Sequence, residues 1–303
     1  MSVAFAPTLR RARLTTDRYA PSMVSGVSGQ PLPPAARASQ TDARWLALRV
    51  QADNAARSLT ADTLLPRLVH DLATRGAGNS GVDVVDLGSG TGANQRWLAP
   101  RLPFGQRWLL IDQDQALQHH QPVPPPTRLL TADVGILPSI LERLGSAQLV
   151  TCSALLDVLT LDQLKATGSA LAAAGQPALF SLTVTGDMKL SPAHSLDSHL
   201  NSAFNAHQRR GGRAGPDAVQ ILTRSLRDTG CLHWTTETPW LLDRHSDAEF
   251  VRRFLTDRVA AAVAHDPSLN SVGAEWLALR LAQLAEDGLG ISVGHRDLLV
   301  LPR

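Results

Sequence analysis

Residues 84–92 read Val-Val-Asp-Leu-Gly-Ser-Gly-Thr-Gly, so a short apolar run passes directly into three alternate glycines. The β-branched run predicts a buried strand, and the residues from Ala93 to Leu102 predict a helix. Glycines between a strand and a helix allow backbone angles closed to other residues and let a ligand approach the main chain. With Ala93 the loop also satisfies the dinucleotide pattern GxGxxA, so the glycines alone leave the ligand open.

Asp86, two residues before the first glycine, helps to decide which kind of ligand the loop binds. A carboxylate aimed at the loop would repel a pyrophosphate, whereas it would pair favourably with an ammonium group. The segment therefore predicts a nucleoside ligand that carries a cationic amine.

Two further aspartates end the next two predicted strands. Asp112 lies 20 residues beyond Gly92, where an acid can accept hydrogen bonds from both hydroxyls of a ribose. Asp133 ends the third strand, where a carboxylate can accept from the exocyclic amine of adenine. One such acid alone could be a turn residue or a helix cap. Three acids at successive strand ends beside a glycine loop favour a binding site.

Outside this segment, short β-branched runs alternate with helical segments, the pattern of parallel βαβ units. The strands are predicted at residues 83–87, 108–111, 128–132, 148–152 and 178–184, and the helices between them at 93–102, 114–120, 137–144 and 161–174. Parallel strands need helices on both faces and right-handed crossovers. The predicted fold is α/β, a doubly wound, mostly parallel sheet that binds ligands at the carboxyl ends of its strands.

Additions are predicted on both sides of this core. Residues 41–78 hold two amphipathic helices, the second starting near Thr63 and ending at Gly76, and are expected to form an N-terminal helical cover. Residues 79–303 are expected to form the α/β domain, with residues 186–216 and 245–290 as substrate-side or helical additions. The C-terminal part predicts a helix at 217–228, a strand at 233–240, a helical insertion at 247–287 and a last strand at 295–301.

The charge distribution argues against nucleic acid as the main ligand. Residues 1–40 hold five arginines and one acid, so the net charge of +2 becomes −2 for the remainder, whereas nucleic-acid-binding proteins carry a basic patch. This segment lacks a helical or strand period and predicts a flexible basic tail, with an organellar transit peptide as the alternative. Apolar runs fall short of the roughly 18 residues that span a bilayer, so a cytoplasmic protein without membrane contact is expected.

Two cysteines, Cys152 and Cys231, form neither a disulfide framework nor a zinc-binding CxxC pair. No metal site is expected on that basis.

With its glycine loop and its three strand-end aspartates, the chain resembles the class I S-adenosylmethionine-dependent methyltransferases. The resemblance extends from about residue 81 to residue 183. The resemblance implies a seven-stranded sheet whose last strand is antiparallel, with S-adenosyl-L-methionine as the cofactor. It places the methionine part of the cofactor among Asp86, Gly88, Gly90 and Gly92. It further implies that Asp112 holds the ribose, that Gln113, Asp133 and Val134 lie at the adenine, and that Cys152 and Ser153 line the site.

One departure from the family bears on the substrate. The fourth strand ends in Thr-Cys-Ser-Ala-Leu-Leu-Asp at residues 151–157, without the Asn-Pro-Pro-aromatic motif of enzymes that methylate base amines. The chain also lacks the Pro-Cys pair used at carbon 5 of cytosine. Nucleic-acid bases are therefore improbable substrates.

Two residues are candidates for a general base, which helps methyl transfer to a hydroxyl. His207 shares one face of a helix predicted at 195–210 with Leu200 and Ala203, so it is expected to turn inward; a hydrogen-bonded core histidine is the alternative. Asp157 follows the fourth strand and could face the acceptor or begin a helix.

Several arginines leave their role open. Arg49 and Arg57 on the predicted cover could offer a guanidinium to the carboxylate of the cofactor, while ion pairing with Asp53 is the simpler alternative. The loop at residues 209–213, Arg-Arg-Gly-Gly-Arg, could attract an acidic substrate or be a solvated turn.

The sequence thus predicts an enzyme that transfers a methyl group from S-adenosylmethionine to an oxygen or nitrogen of a small molecule. An NAD(P)-dependent oxidoreductase and a non-catalytic cofactor-binding protein are the alternatives.

Overall fold

The computed structural model describes residues 42–118, 126–134 and 149–303, together with residues 137, 139 and 141. The predicted basic tail at residues 1–40 and most of the predicted helix at 137–144 lie outside the described residues.

The described strands form one mostly parallel sheet. They are β1 (Val82–Leu87), β2 (Gln106–Asp112), β3 (Thr127–Thr131), β4 (Leu149–Ser153), β5 (Ala178–Ser191), β6 (Leu232–Glu237), β7 (Trp240–Leu242) and β8 (Gly290–Leu301). Their order is β3-β2-β1-β4-β5-β8-β6, and the short β7 pairs with β8. Strands β1 to β5 run parallel, whereas β8 is antiparallel to β5, β6 and β7. The predicted doubly wound α/β fold is confirmed, with a short eighth strand added to the seven.

Helices cover both faces of this sheet. The described α-helices are α1 (Ala43–Ala56), α2 (Ser58–Thr63), α3 (Leu65–Thr74), α4 (Ala77–Ser80), α5 (Ala93–Leu98), α6 (Gln115–Gln118), α7 (Leu161–Ala174), α8 (Asp197–Gln208), α9 (Ala218–Ser225), α10 (Ala248–His265) and α11 (Asn270–Ala285). Helices α7 and α9 bury leucines against Val85 and Val150 on one face. Helices α3 and α5 bury theirs against Val84 and Leu110 on the other. Apolar side chains on both sides of β1 explain why this strand lies inside the sheet.

The N-terminal cover differs in one detail from the prediction. Two helices stand in place of the first predicted helix: α1 ends at Ala56, and Arg57 connects it to α2. The second predicted helix corresponds to α3, whose Pro66 lies in the first turn, where a missing N–H is tolerated. Gly76 follows with a left-handed φ of 90°.

The C-terminal part also differs in its boundaries. The predicted strand at 233–240 is two strands, β6 and β7, separated at Thr238 and Pro239, since proline cannot donate to the ladder. Strands β5 and β8 extend past the predicted 178–184 and 295–301 because they pair with each other as far as Ser191 and Gly290. The predicted insertion at 247–287 is the pair α10 and α11, which packs with α1, α8 and β7 in a separate apolar cluster.

None of the helices in the described ranges combines the length and the apolar character that a membrane span requires.

Candidate functional site

The glycine loop at the end of β1 has the backbone that the sequence predicts. Gly88, Gly90 and Gly92 have φ values of 61°, 51° and 77°, a region that L-residues rarely adopt. A Cβ at Gly88 would lie 2.9 Å from Leu155, and one at Gly90 would lie 3.1 Å from Leu46 of α1. The loop therefore requires glycine, and the N-terminal cover lies directly against it.

Asp112 ties the end of β2 to this loop. Its Oδ2 accepts the N–H of Gly90 at 2.7 Å, and its Oδ1 accepts the N–H of Asp114 at 2.8 Å. The residue is 8% exposed. A carboxylate has about four acceptor positions, so Asp112 keeps capacity for ribose hydroxyls. Gly88, Gly90, Gly92 and Asp112 are called the glycine edge below.

Asp86 lies beneath the loop rather than open to it. The residue is 0% exposed, and its Oδ1 accepts from the amide of Asn94 at 2.7 Å. Burial raises the pKa of Asp86 to about 7, against the opposing effects of Asn94 and Arg57. Within the described residues its Oδ2 has no hydrogen-bond partner. Direct contact with an ammonium group stays a prediction, and Asn94 is a residue that sequence reasoning missed.

Arg57 belongs to the same buried layer. Its Nη2 donates to the side-chain oxygens of Asn94 at 2.7 Å and Ser181 at 3.3 Å, and its guanidinium lies 3.7 Å from the Trp97 ring centroid. Burial lowers the pKa of Arg57 to about 10, so it stays charged at neutral pH. These bonds would have to break for Arg57 to meet the carboxylate of a cofactor.

Arg49 forms the ion pair that was the simpler alternative. Its Nε and Nη2 donate to both carboxylate oxygens of Asp53 at 2.9 and 3.1 Å. Asp53 also accepts from the indole of Trp240 at 3.0 Å. The bond from Trp240 to Asp53 links β7 to α1, and a role of Arg49 at a cofactor carboxylate remains a prediction.

The residues predicted at the adenine and the fourth strand fall into different environments. Gln113 and Asp133 are exposed, Val134 and Ser153 are half-buried, and Cys152 is buried. The Cys152 side chain packs in the apolar core beneath the sheet, and burial raises the pKa of its thiol well above the usual range. Its thiol is therefore a buried, protonated group, and the role of Cys152 in lining the cofactor site stays a prediction.

Asp157 follows β4 in a tight turn at Leu156–Val158. Burial raises the pKa of its carboxyl, while its own backbone N–H, Arg49 and Arg213 oppose that shift. Its Oδ1 is buried and has no hydrogen-bond partner in the described part of the chain. A carboxyl group with these properties at the edge where ligands bind fits a general base.

His207 lies in the last turn of α8 and is half-buried. Burial, followed by the charges of Arg210, His265 and Arg213, lowers its pKa, so the imidazole is neutral at pH 7. The positive charge of Arg213 thus lowers the pKa of both candidate bases.

Two of the three arginines in the loop after α8 form contacts within the protein. Arg209 forms an ion pair with Asp217 at 2.9 Å, and Arg210 donates to the backbone carbonyl of Ala264. Arg213 is exposed.

His295 and Arg258 were not predicted as site candidates, because no local sequence motif marks either residue. His295 on β8 is 2% exposed, its Nδ1 lies 3.1 Å from the Val293 carbonyl oxygen, and its ring centroid lies 4.6 Å from that of Trp240. Arg258 on α10 is 7% exposed. We group these two residues with Arg49, Asp157 and His207 and call the group the acceptor side, because we propose below that a methyl acceptor binds there.

A shallow pocket of about 290 Å³ lies elsewhere, where Lys189, Leu241, Asp243 and Gly290 border the ends of β5, β7 and β8. None of the predicted site residues lines it. Across the described residues no group of three or more His, Cys, Asp or Glu side chains is arranged to hold a metal ion.

The sequence matches no protein-family model and no curated protein. The structure is similar to a cyclopropane synthase from Mycobacterium tuberculosis, at 11% identity and a TM-score of 0.41 over 78% of this chain and 83% of that chain. It is also similar to a geranyl diphosphate C-methyltransferase from Streptomyces coelicolor, at 12% identity and a TM-score of 0.40 over 80% of this chain and 79% of the other. Because these values are low, function is inferred from the residues of this chain.

Proposed function

We propose that the chain is an S-adenosylmethionine-dependent methyltransferase that acts on an oxygen or nitrogen of a small molecule. The observation that carries this proposal is the hydrogen bond from Gly90 N–H to Asp112. It joins the glycine loop and the proposed ribose-binding acid into one edge of a sheet in which β8 runs antiparallel to β5 and β6.

The residues present fit this cofactor. Asp112 has acceptor positions beyond the two backbone N–H groups that it binds. Asp86 Oδ2 is a buried acceptor without a hydrogen-bond partner among the described residues, and it can balance an ammonium group nearby. The three glycines with positive φ leave the backbone accessible to the methionine part of the cofactor.

S-adenosylmethionine supplies a methyl group that is already activated by a sulfonium. Transfer would form a carbon–oxygen or carbon–nitrogen bond as the carbon–sulfur bond breaks, and a base such as Asp157 would take the acceptor's proton. The protein aligns the acceptor for this in-line displacement and excludes water. Helix α1, whose Leu46 lies at Gly90, is placed to exclude water from the loop.

Asp157 is the better candidate for the base. Its carboxyl follows β4, the strand next to β1, and burial raises its pKa, which makes the carboxylate a stronger base. His207 is half-buried at the far end of α8 and is the second candidate.

An acceptor screen tests this proposal. The protein is incubated with methyl-labelled S-adenosylmethionine and small-molecule fractions of a cell extract, with Asp112→Ala as the matched variant. We expect label in a low-mass product with the wild-type protein and much less with the variant. Cofactor binding without transfer to any fraction would favour a non-catalytic binding protein, and hydride transfer from NAD(P)H would favour the oxidoreductase.

A further inference from the structure

Arg258, in the middle of α10, is a buried cation whose hydrogen-bond partner, in the part of the chain that the structure describes, is an amide and not a carboxylate. Its guanidinium lies 3.8 Å from the ring centroid of Phe204. Its Nη2 donates to the side-chain oxygen of Asn201, and its Nε is buried with no partner among the described residues. Burying a charge without a counter-charge is unfavourable, so this arrangement needs a reason.

Two other buried arginines show how the same chain treats this group elsewhere. Arg280, 0% exposed, forms an ion pair with Asp197 at 2.6 Å and also donates to the Pro192 carbonyl at 2.7 Å. Arg57 has hydrogen bonds to two side chains and the charges of three aspartates around it. Burial lowers the pKa of Arg258 to about 9, and among the described residues its guanidinium contacts Asn201, Phe204 and Phe254 rather than a carboxylate.

The surroundings of Arg258 combine polar atoms with aromatic rings. The amide oxygen of Asn201 and the ring of Phe204, both on α8, contact the guanidinium. Phe254 lies 5.5 Å from the guanidinium, and its ring centroid is 6.0 Å from that of Trp240. Such a wall suits an apolar or aromatic body that carries a polar group.

Electrostatics on this side of the molecule also favour an anion. Arg49 and Arg258 both act on His295, and together with burial they lower its pKa to about 3. The imidazole is therefore neutral at pH 7, and Arg258 remains a buried positive charge on this side of the molecule.

We propose that Arg258 binds the anionic group of the methyl acceptor, a carboxylate or a phosphate monoester on an apolar or aromatic body. The planar guanidinium can donate to two oxygens of either group from its Nε and Nη atoms. Phe204 and Phe254 exclude water from this contact and strengthen it. The proposal rests on the proposed function, because it names the chemical class of the methyl acceptor.

Thermal unfolding with three probes tests the proposal. Benzoate represents carboxylates, phenyl phosphate represents phosphate monoesters, and benzyl alcohol is the uncharged control, all at constant ionic strength. We expect benzoate or phenyl phosphate to raise the unfolding midpoint of the wild-type protein, while benzyl alcohol does not. The anion that gives the larger shift identifies the source of the negative charge.

Three variants locate the effect. Arg258→Met should weaken anion binding by about 10- to 100-fold, and it should raise the midpoint of the ligand-free protein because it removes an unbalanced buried charge. Arg258→Lys keeps the charge and should retain partial binding. Arg252→Met changes the same charge at an exposed position of α10 and should leave binding unchanged.

The proposal is overturned if neither anion stabilises the wild-type protein, or if Arg258→Met and Arg252→Met respond equally. S-adenosylhomocysteine is added in a separate arm. If S-adenosylhomocysteine does not raise the unfolding midpoint of the wild-type protein, the proposed function is contradicted. If S-adenosylhomocysteine raises it and neither anion does, only the role of Arg258 is contradicted.

Discussion

The glycine edge and the acceptor side differ in how their polar groups are satisfied. At the glycine edge, backbone N–H groups of Gly90 and Asp114 orient the carboxylate of Asp112. On the acceptor side, Asp157 Oδ1 and Arg258 Nε are buried and have no hydrogen-bond partner in the described ranges. The first region is therefore organised by the chain itself, whereas the second holds polar groups that a substrate can satisfy. Changes at the edge should alter cofactor affinity, and changes on the acceptor side should alter turnover.

The largest expected effect is on turnover. Asp157→Asn should lower kcat by about 100-fold or more, the usual contribution of a general base, with S-adenosylhomocysteine affinity unchanged. In the wild-type protein, activity should fall as pH falls through the raised pKa of Asp157, because protonation removes the base. Steady-state kinetics with an acceptor from the screen measure both. If His207→Asn abolishes turnover and Asp157→Asn retains the wild-type kcat, His207 and not Asp157 is the general base.

Asp112→Ala should weaken S-adenosylhomocysteine binding by about 1–3 kcal/mol, through loss of charge-assisted hydrogen bonds. Asp114→Ala is the control, since its side chain binds the N–H of Ala116 and not the glycine loop. Equal affinities of the two variants in titration calorimetry would remove Asp112 from the cofactor site.

Gly88→Ala should weaken the same ligand by about 10-fold, because a Cβ at a positive φ costs roughly 1–2 kcal/mol and also meets Leu155 at 2.9 Å. Gly211→Ala is the matched control. Its φ of 68° is similar, but nothing lies within 4 Å of the added Cβ. If both variants bind S-adenosylhomocysteine like the wild-type protein, the glycine loop is not the cofactor site.

The smallest expected effect is a pH dependence of stability. Burial raises the folded-state pKa of Asp86 from 3.8 to about 7, so between these values the folded protein holds a proton that the unfolded chain has released. This contribution to stability is present at low pH and is lost as pH rises through about 7. Thermal unfolding between pH 5 and 8 should show a steeper decline for the wild-type protein than for Asp86→Asn. Parallel curves for the two proteins would contradict the raised pKa.

The sheet and the glycine edge were predictable because their signals are local. A β-branched run, three glycines and strand-end acids occupy residues 84–92, 112 and 133, and sheet topology then brings the loop to Asp112. The hydrogen bond itself has no sequence signal, since its donor is a backbone N–H. The burial of Asp86 also escaped prediction, because it depends on Asn94 and Arg57 from two other elements.

The acceptor side was far less predictable. Arg49, Asp157, His207, Arg258 and His295 come from five separate elements, and no spacing in the chain relates them. His295 reads as an ordinary strand residue, and Arg258 reads as one of several arginines on an amphipathic helix. Their significance arises from burial, which is a property of the packed helices α1, α8 and α10.

Titration calorimetry with S-adenosylhomocysteine and NAD(P) on the wild-type protein tests the central claim most directly. At pH 8, above the raised pKa of Asp86, the glycine edge predicts binding of S-adenosylhomocysteine at one site per chain and no measurable binding of the dinucleotides, because the ionised Asp86 carboxylate disfavours a pyrophosphate. Binding of NAD(P) with no response to S-adenosylhomocysteine or S-adenosylmethionine would contradict the account.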